Sequence, residues 1–175
     1  MFVVITLVVA IAGGILALAS GEQRPHPEVP DIIKAPPGEN VVLQVHASGS
    51  QIYMCQASGH QKYSWTLKAP EAQLTDANGK NVGIHSAGPT WKHNDGSEVV
   101  AKMLHRVDAP EAGSIPWLLL TATEHSGNGI LSRVTTIQRI NTRGGQPSGD
   151  CDESHRGTEI KVPYSADYYF YAPGS

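Results

Sequence analysis

The clearest pattern in the chain is a series of short hydrophobic runs separated by turn residues, beginning after Asn40. In KYSWTLKA, Tyr63, Trp65 and Leu67 alternate with polar side chains, which is typical of a half-buried strand. The other runs are VVLQVHA, QIYMCQA, AQLTD, NVGI, TWKHN, SEVVAKMLHRV, IPWLLLTATEH, ILSRVTTIQRI, TEIKV and ADYYFYA. None of them makes a convincing long helix. The pattern therefore predicts an all-β, single-domain antiparallel sandwich or barrel of about nine or ten short strands.

Two dipeptides within this series predict tight hairpins. Asn78-Gly79 separates AQLTD from NVGI, and Asp95-Gly96 separates TWKHN from SEVVAKMLHRV. Both dipeptides suit two-residue turns, whose central positions require positive φ. The segment after Asp95-Gly96 also fits a helix, because its apolar residues could form a helical stripe and Asp95 with Glu98 a capping box. We favour a strand, since the Asp-Gly turn explains more of the flanking sequence.

The register of the second hairpin decides which side chains meet. With a two-residue turn, residue 93 lies opposite residue 98, and residue 91 lies opposite residue 100. Trp91 and His93 then share one strand face, with Glu98 across from His93. A histidine and a carboxylate beside an aromatic ring could transfer protons or orient a ligand. The alternative is an exposed cross-strand polar pair beside a core tryptophan.

The aromatic run ADYYFY has rings on both strand faces, with Tyr168 and Phe170 on one and Tyr169 and Tyr171 on the other. One face must meet the core. The other is either covered by the proline-rich segment that precedes the domain or left open as a platform.

The first residues of the chain have the pattern of a secretory signal. Residues 2–19 contain no charged side chain, and Ala17-Leu18-Ala19 offers a small-x-small cleavage site. An uncleaved membrane anchor is the alternative, because about eighteen apolar residues can just span a bilayer. In either case the rest of the protein is expected to be exported, to a periplasmic or extracellular location.

The expected organisation after the signal (residues 1–19) is a lead-in at 20–40 and a β domain at 41–175. The lead-in carries five prolines and no sustained periodicity. Such a segment is typical of an extended chain that lies along the domain, or of a tether.

Export gives a simple role to the two cysteines. Cys55 and Cys151 are the only cysteines of the chain, and an even pair in an oxidising compartment predicts a disulfide. A bridge over such a long loop could contribute about 4–5 kcal/mol to stability. Free thiols or a metal pair are the alternatives, but zinc sites usually contain closely spaced cysteines and none is present.

Charge and motifs exclude several functions. The formal net charge is −3, with no Lys/Arg cluster, so neither nucleic acid nor an anionic membrane surface is an expected partner. No nucleophile elbow, zinc-protease motif, phosphate-binding loop or EF-hand loop occurs, so no cofactor or metal is predicted. This weakens the case for an enzyme without removing it, since a catalytic triad is recognised in space rather than in sequence.

Three stretches together resemble one family: LKAPEAQLTDANGKNVGIHSAGPTWKHNDGSEVVAK, IPWLLLTATEHSGNGILSRVTTIQRINTRGGQP followed by Cys151, and VPYSADYYFY. They are similar to secreted bacterial and fungal proteins catalogued as domain of unknown function DUF3455. The resemblance extends from about Pro36 to Tyr171. It implies export, one β-rich domain and a Cys55–Cys151 pair, and it carries no activity or catalytic residue.

The candidate ligand-binding residues are His85, Trp91, His93 and Glu98. His85 lies where the chain turns through Ser86-Ala87-Gly88-Pro89, and loop histidines on a rigid sheet are frequent binding residues. Its alternative role is to hydrogen-bond the turn backbone. A metal site at His85 and His93 would still need a third ligand, such as His60 or a carboxylate.

Three functions follow as hypotheses. The first is a binding or surface-interaction domain for carbohydrate or another cell-envelope component, with Trp91 and His85 in the contact surface. The second is a small extracytoplasmic hydrolase or metal-dependent oxidoreductase that uses His85, His93 and Glu98. The third is a structural envelope protein without a small ligand.

Overall fold

The computed structural model describes residues 24–59 and 62–174 of the 175-residue chain. Eight antiparallel strands form one closed barrel, in which sequence neighbours pair and the last strand pairs with the first. The strands are β1 (Glu39–Gly59), β2 (Lys62–Thr75), β3 (Asn81–Ser86), β4 (Thr90–His93), β5 (Glu98–Val107), β6 (Trp117–Ser126), β7 (Thr136–Gly144) and β8 (Glu159–Pro173). The predicted all-β class is confirmed. The predicted signal at 1–19 lies outside the described residues.

The structure has eight strands instead of the predicted nine or ten, because some neighbouring hydrophobic runs belong to one continuous strand. VVLQVHA and QIYMCQA are both in β1, KYSWTLKA and AQLTD are both in β2, and TEIKV and ADYYFYA are both in β8. Gly49 lies inside β1, and a Cβ there would come within 2.1 Å of the Glu71 carbonyl oxygen. Glycine at this position thus permits the close approach of two strands and does not mark a turn.

SEVVAKMLHRV forms a strand, β5, as predicted, but the two-residue turns were wrong. Both hairpins have three-residue loops, at 77–79 and 94–96, closed by backbone hydrogen bonds between residues 76 and 80 and between 93 and 97. Gly79 and Gly96 are in the left-handed region, with φ of 77° and 91°. A turn followed by a left-handed residue is the usual three-residue hairpin loop, in which only the glycine needs positive φ.

The extra loop residue shifts the register of β4 and β5 by one. Trp91 pairs with Val99 and Lys92 with Glu98, so the predicted pairing of His93 with Glu98 was wrong. Because neighbouring residues in a strand point to opposite faces, Glu98 and Lys92 lie on the face opposite Trp91.

The inner face of the sheet forms the main core. Along β8, Tyr168 and Phe170 are buried inside the barrel against Trp91. The opposite face of this strand is also covered, since Tyr171 is fully buried and its hydroxyl donates a hydrogen bond to Gln138.

Residues 24–38 cover that outer face. Ile33, in a short 3-10 helix, packs against Leu119 and Ile140 on the outside of β6 and β7. The amide of Gln138 donates to the Ile33 carbonyl at 2.5 Å, and the His26 ring lies 5.2 Å from the Tyr171 ring. The proline-rich lead-in therefore lies along the barrel, and it accounts for the aromatic residues on both faces of β8.

The predicted disulfide is confirmed. Cys55 and Cys151 form a bridge with an S–S distance of 2.01 Å. Backbone hydrogen bonds between Cys55 and residues 157 and 158 flank the bridge, and the Trp65 indole donates to the Gly149 carbonyl at 3.2 Å. The loop between β7 and β8 is thus held against the end of β1. No helix in the described part of the chain is long and apolar enough to cross a membrane.

At the opposite end of the barrel, Asp95 joins the β4–β5 loop to the segment before β7. Its carboxylate accepts hydrogen bonds from the Ile130 amide at 2.8 Å and from the Ser97 amide and hydroxyl at 2.9 and 2.6 Å. Ser97 in turn accepts from the Leu131 amide at 3.1 Å, and Leu131 is buried in the core. Partial burial raises the pKa of Asp95, but these hydrogen bonds outweigh it and hold the pKa well below its usual range.

We expect Asp95→Ala to lower the free energy of unfolding by about 2 kcal/mol, because the Ile130 and Ser97 donors lose a charged acceptor. The control is Asp76→Ala, since Asp76 accepts only from residues 78 and 80 within its own exposed loop. Urea unfolding at pH 7 measures both losses, and equal losses would contradict the joining role of Asp95. The contribution of Asp95 is present above about pH 4, the unfolded pKa, and is lost as pH falls further toward the lower folded pKa.

Candidate functional site

A cavity of about 500 Å³ lies inside the barrel, toward the end where β3 turns into β4. All eight strands contribute to its wall. The residues that line it are Gln51, Tyr53, Leu67, Lys68, Ala69, Pro70, His85, Gly88, Pro89, Trp91, Met103, Arg106, Ile115, Pro116, Leu118, Leu120, Arg139 and Tyr168. Most of these side chains are apolar or aromatic. The volume is within the range of about 300–1,000 Å³ that is typical of small-molecule sites.

Three rings that pack against one another form one part of the wall. His85 and Trp91 are cross-strand partners in β3 and β4, and their rings are nearly parallel with centroids 4.4 Å apart. Tyr168 meets both rings edge-on, at 5.2 Å from His85 and 5.3 Å from Trp91. These stacked and edge-on arrangements are the favoured geometries of aromatic pairs, so the three rings form one continuous part of the wall.

His85 is a neutral hydrogen-bonding group in this environment. Its Nδ1 lies 2.9 Å from the Thr90 carbonyl oxygen, which can only accept, so Nδ1 carries the proton. Burial lowers the pKa of His85 to about 4; the bond to Thr90 opposes this shift and the positive charge of Arg139 adds to it. At neutral pH the ring is therefore uncharged, and Nε2 is left as an acceptor.

The wall also holds buried polar atoms that have no hydrogen-bond partner in the described part of the chain. They are Nε2 of Gln51, Nε1 of Trp91 and the hydroxyl of Tyr168. Each of these three residues is only 1% exposed. Leaving a buried donor unpaired costs about 1–3 kcal/mol, and this wall holds half of the six unpartnered buried side-chain atoms among the described residues; the other three belong to Glu39, Trp117 and Tyr164.

Arg139 adds a positive charge to the wall. Its Nε and Nη2 both donate to the Pro116 carbonyl, at 3.1 and 2.9 Å, which fixes the guanidinium plane. No carboxylate forms an ion pair with it within residues 24–59 and 62–174. Burial raises the pKa of Tyr168, and the nearby Arg139 charge opposes that rise, so Tyr168 is a neutral phenol at physiological pH.

The mouth of the cavity has apolar side chains with charges around them. Leu67 and Met103 line the cavity and are 51% and 55% exposed. Lys68 forms an ion pair with Glu159, and Arg106 lies 3.6 Å from Asp108. The two cations at this apolar entrance therefore already have acidic neighbours. Arg139 is the lining cation that has no acidic partner among the described residues.

The structure separates the four candidate residues predicted from the sequence. His85 and Trp91 line the cavity, where both are almost fully buried. His93 and Glu98 are not lining residues: His93 Nδ1 lies 3.1 Å from Asp95, and Glu98 lies across from Lys92 on the other face of the sheet. The proposed acid–base group of His85, His93 and Glu98 is therefore not assembled at the cavity.

Within the described ranges, no group of three or more His, Cys, Asp or Glu side chains could hold a metal ion. His60, considered as a third ligand, lies outside those ranges. The sequence reasoning missed Gln51, Arg139 and Tyr168 as site residues. A signal was present for Arg139, because it follows Ile137 by two positions in β7 and so shares the inward face of a buried residue.

A family model described as "Protein of unknown function (DUF3455)" matches residues 36–172. No curated protein matches the chain. No solved structure matches it.

Proposed function

Because the chain belongs to the DUF3455 family, whose description assigns no activity, we propose its function from the cavity: the barrel binds one small amphipathic ligand in its interior. The observation that carries this proposal is the set of unpartnered polar atoms of Gln51, Trp91 and Tyr168 in one largely apolar cavity wall. His85 and Trp91 are ligand-contacting residues in this proposal.

The dimensions of the barrel support an interior site. Eight strands enclose an interior that is either filled by side chains or wide enough for one small ligand. Here large side chains and the segment at 130–134 fill one end, and the cavity occupies the other. A ligand that enters past Leu67 and Met103 would bury apolar surface, at about 25 cal/mol per Å².

The polar atoms supply specificity. Trp91 Nε1 can only donate, and Gln51 Nε2 and the Tyr168 hydroxyl also offer hydrogens. Ligand sites combine apolar walls with a few polar groups that orient the ligand. A carbohydrate or envelope component fits this proposal only if it carries an apolar part, because leucine, isoleucine, methionine and proline make up much of the wall.

We place this binding function outside the cytoplasm. The Cys55–Cys151 disulfide persists in oxidising compartments, and residues 2–19 have the pattern of a secretory signal. A binding domain requires no catalytic group, which agrees with a site where His85 is isolated from His93 and Glu98.

The proposal is tested by titrating the protein with N-phenyl-1-naphthylamine, a neutral apolar fluorophore. We expect saturable binding at one site per chain, with energy transfer from tryptophan because Trp91 lines the cavity. Pro70→Phe should weaken this binding by at least about 10-fold, since Pro70 lines the cavity, pairs with the inward-facing Gln51, and a phenyl ring there would occupy the cavity.

The matched control is Thr66→Phe, which places the same ring on an exposed position of the same strand, outside the cavity lining. It should bind the fluorophore as the wild type does. Absence of saturable binding to the wild type, or equal binding by both variants, would contradict an interior site.

A further inference from the structure

We propose that the interior site selects a ligand with a single carboxylate, which the Arg139 guanidinium binds. This inference rests on the proposed binding function and names the chemical class of its ligand. It follows from three features of the cavity: the free edge of Arg139, the balance of charges in the lining, and the excess of hydrogen-bond donors.

The hydrogen bonds of Arg139 leave one edge of the guanidinium available. A guanidinium has five N–H groups in one plane, and Nε with the adjacent hydrogen of Nη2 forms one edge. That edge is used by the Pro116 carbonyl, at 3.1 and 2.9 Å. The end formed by Nη1 and the second hydrogen of Nη2 remains, and two parallel N–H groups match the two oxygens of a carboxylate.

The lining contains cations but no acidic side chain. Its charged residues are Lys68, Arg106 and Arg139, and no Asp or Glu is among the lining residues. Lys68 and Arg106 have acidic neighbours at the rim, in Glu159 and Asp108. A partly buried guanidinium without a counter-ion favours an anion, because desolvation is then offset by charge pairing.

Neutral polar groups elsewhere in the same cavity lining add donors. The Tyr168 hydroxyl, Gln51 Nε2 and Trp91 Nε1 have no acceptors in the described part of the chain. His85 is uncharged at neutral pH, so it does not compete with Arg139 for an anion. A carboxylate presents about four lone-pair sites and suits a wall with several donors and one fixed positive charge.

Calorimetric titration with octanoate and 1-octanol tests this proposal, because the two compounds share a chain length and differ in the head group. We expect the wild type to bind octanoate at least about 10-fold more tightly than octanol. Arg139→Gln should weaken octanoate binding by about 10- to 100-fold and leave octanol binding within about 3-fold, since charge-assisted hydrogen bonds are lost only for the carboxylate.

Two variants provide the controls. Arg139→Lys keeps the charge but not the paired N–H groups, so we expect it to recover only part of the octanoate affinity. Arg143→Gln removes an exposed cation of the same strand, outside the cavity lining, and should leave the octanoate preference unchanged. An equal loss in Arg143→Gln would show general attraction of anions instead of a site at Arg139, and would overturn the proposal.

Binding of octanoate, octanol and N-phenyl-1-naphthylamine to the wild type tests the carboxylate proposal even if Arg139→Gln does not fold. If octanol and N-phenyl-1-naphthylamine bind in the cavity but octanoate binds no better than octanol, the carboxylate proposal fails and the binding function stands. If none of the three compounds binds, the binding function itself fails.

Discussion

Replacing both Cys55 and Cys151 with serine is expected to lower the free energy of unfolding by about 4–5 kcal/mol. The bridge joins residues 96 positions apart, so the reduced chain regains the conformational freedom of a long loop when it unfolds. Because many domains are stable by only about 5–15 kcal/mol, a loss of this size removes a large part of the total. Urea unfolding of the wild type and the double variant at pH 7 measures it.

Reduction of the wild type provides the matching control. Wild-type protein unfolded in the presence of dithiothreitol should lose as much stability as the double serine variant, and the variant itself should not respond to the reductant. A double variant within about 1 kcal/mol of the wild type would contradict a stabilising role for the disulfide.

Acidification is expected to destabilise the protein through His85. Burial lowers the pKa of His85 in the folded protein to about 4, whereas an unfolded histidine titrates near 6.5. Between these values the unfolded chain binds a proton that the folded protein excludes, so stability falls as pH decreases from about 6.5 to about 4. The difference in pKa corresponds to about 3 kcal/mol over this window.

Unfolding free energies measured from pH 7 to pH 4 test this prediction. His85→Gln keeps an N–H that can reach the Thr90 carbonyl but cannot take up a proton, so its stability should change less over this window than that of the wild type. His105→Gln, at an exposed position of β5, controls for removing an imidazole. If the wild type and His85→Gln have parallel profiles, His85 is not the excluded protonation site.

The fold class could be predicted from the sequence, because period-two alternation and turn residues recur along the whole chain. The strand count and one register could not. A glycine inside a strand and a glycine in a turn look the same in sequence, so Gly49 suggested a break where β1 continues. A two-residue and a three-residue hairpin loop share the same Asp-Gly signal, and one residue decides which face Glu98 occupies.

The site was partly predictable for a similar reason. His85 was identified by its place beside a turn, although its side chain points into the barrel and its ring stacks on Trp91. Arg139 comes from β7, far along the chain, and reaches the cavity only because β7 and β8 close the barrel on β1. Local patterns cannot show such a meeting, since it depends on the closure of the whole sheet.

A crystal structure with 8-bromooctanoate tests the central claim, a ligand inside the barrel, most directly. Anomalous scattering locates bromine without reference to the shape of the ligand. We predict one bromine site within the cavity bounded by Trp91, Met103 and Leu120. Bromine only on the outside of the barrel, for example beside the exposed Ile32 or Leu104, would contradict interior binding.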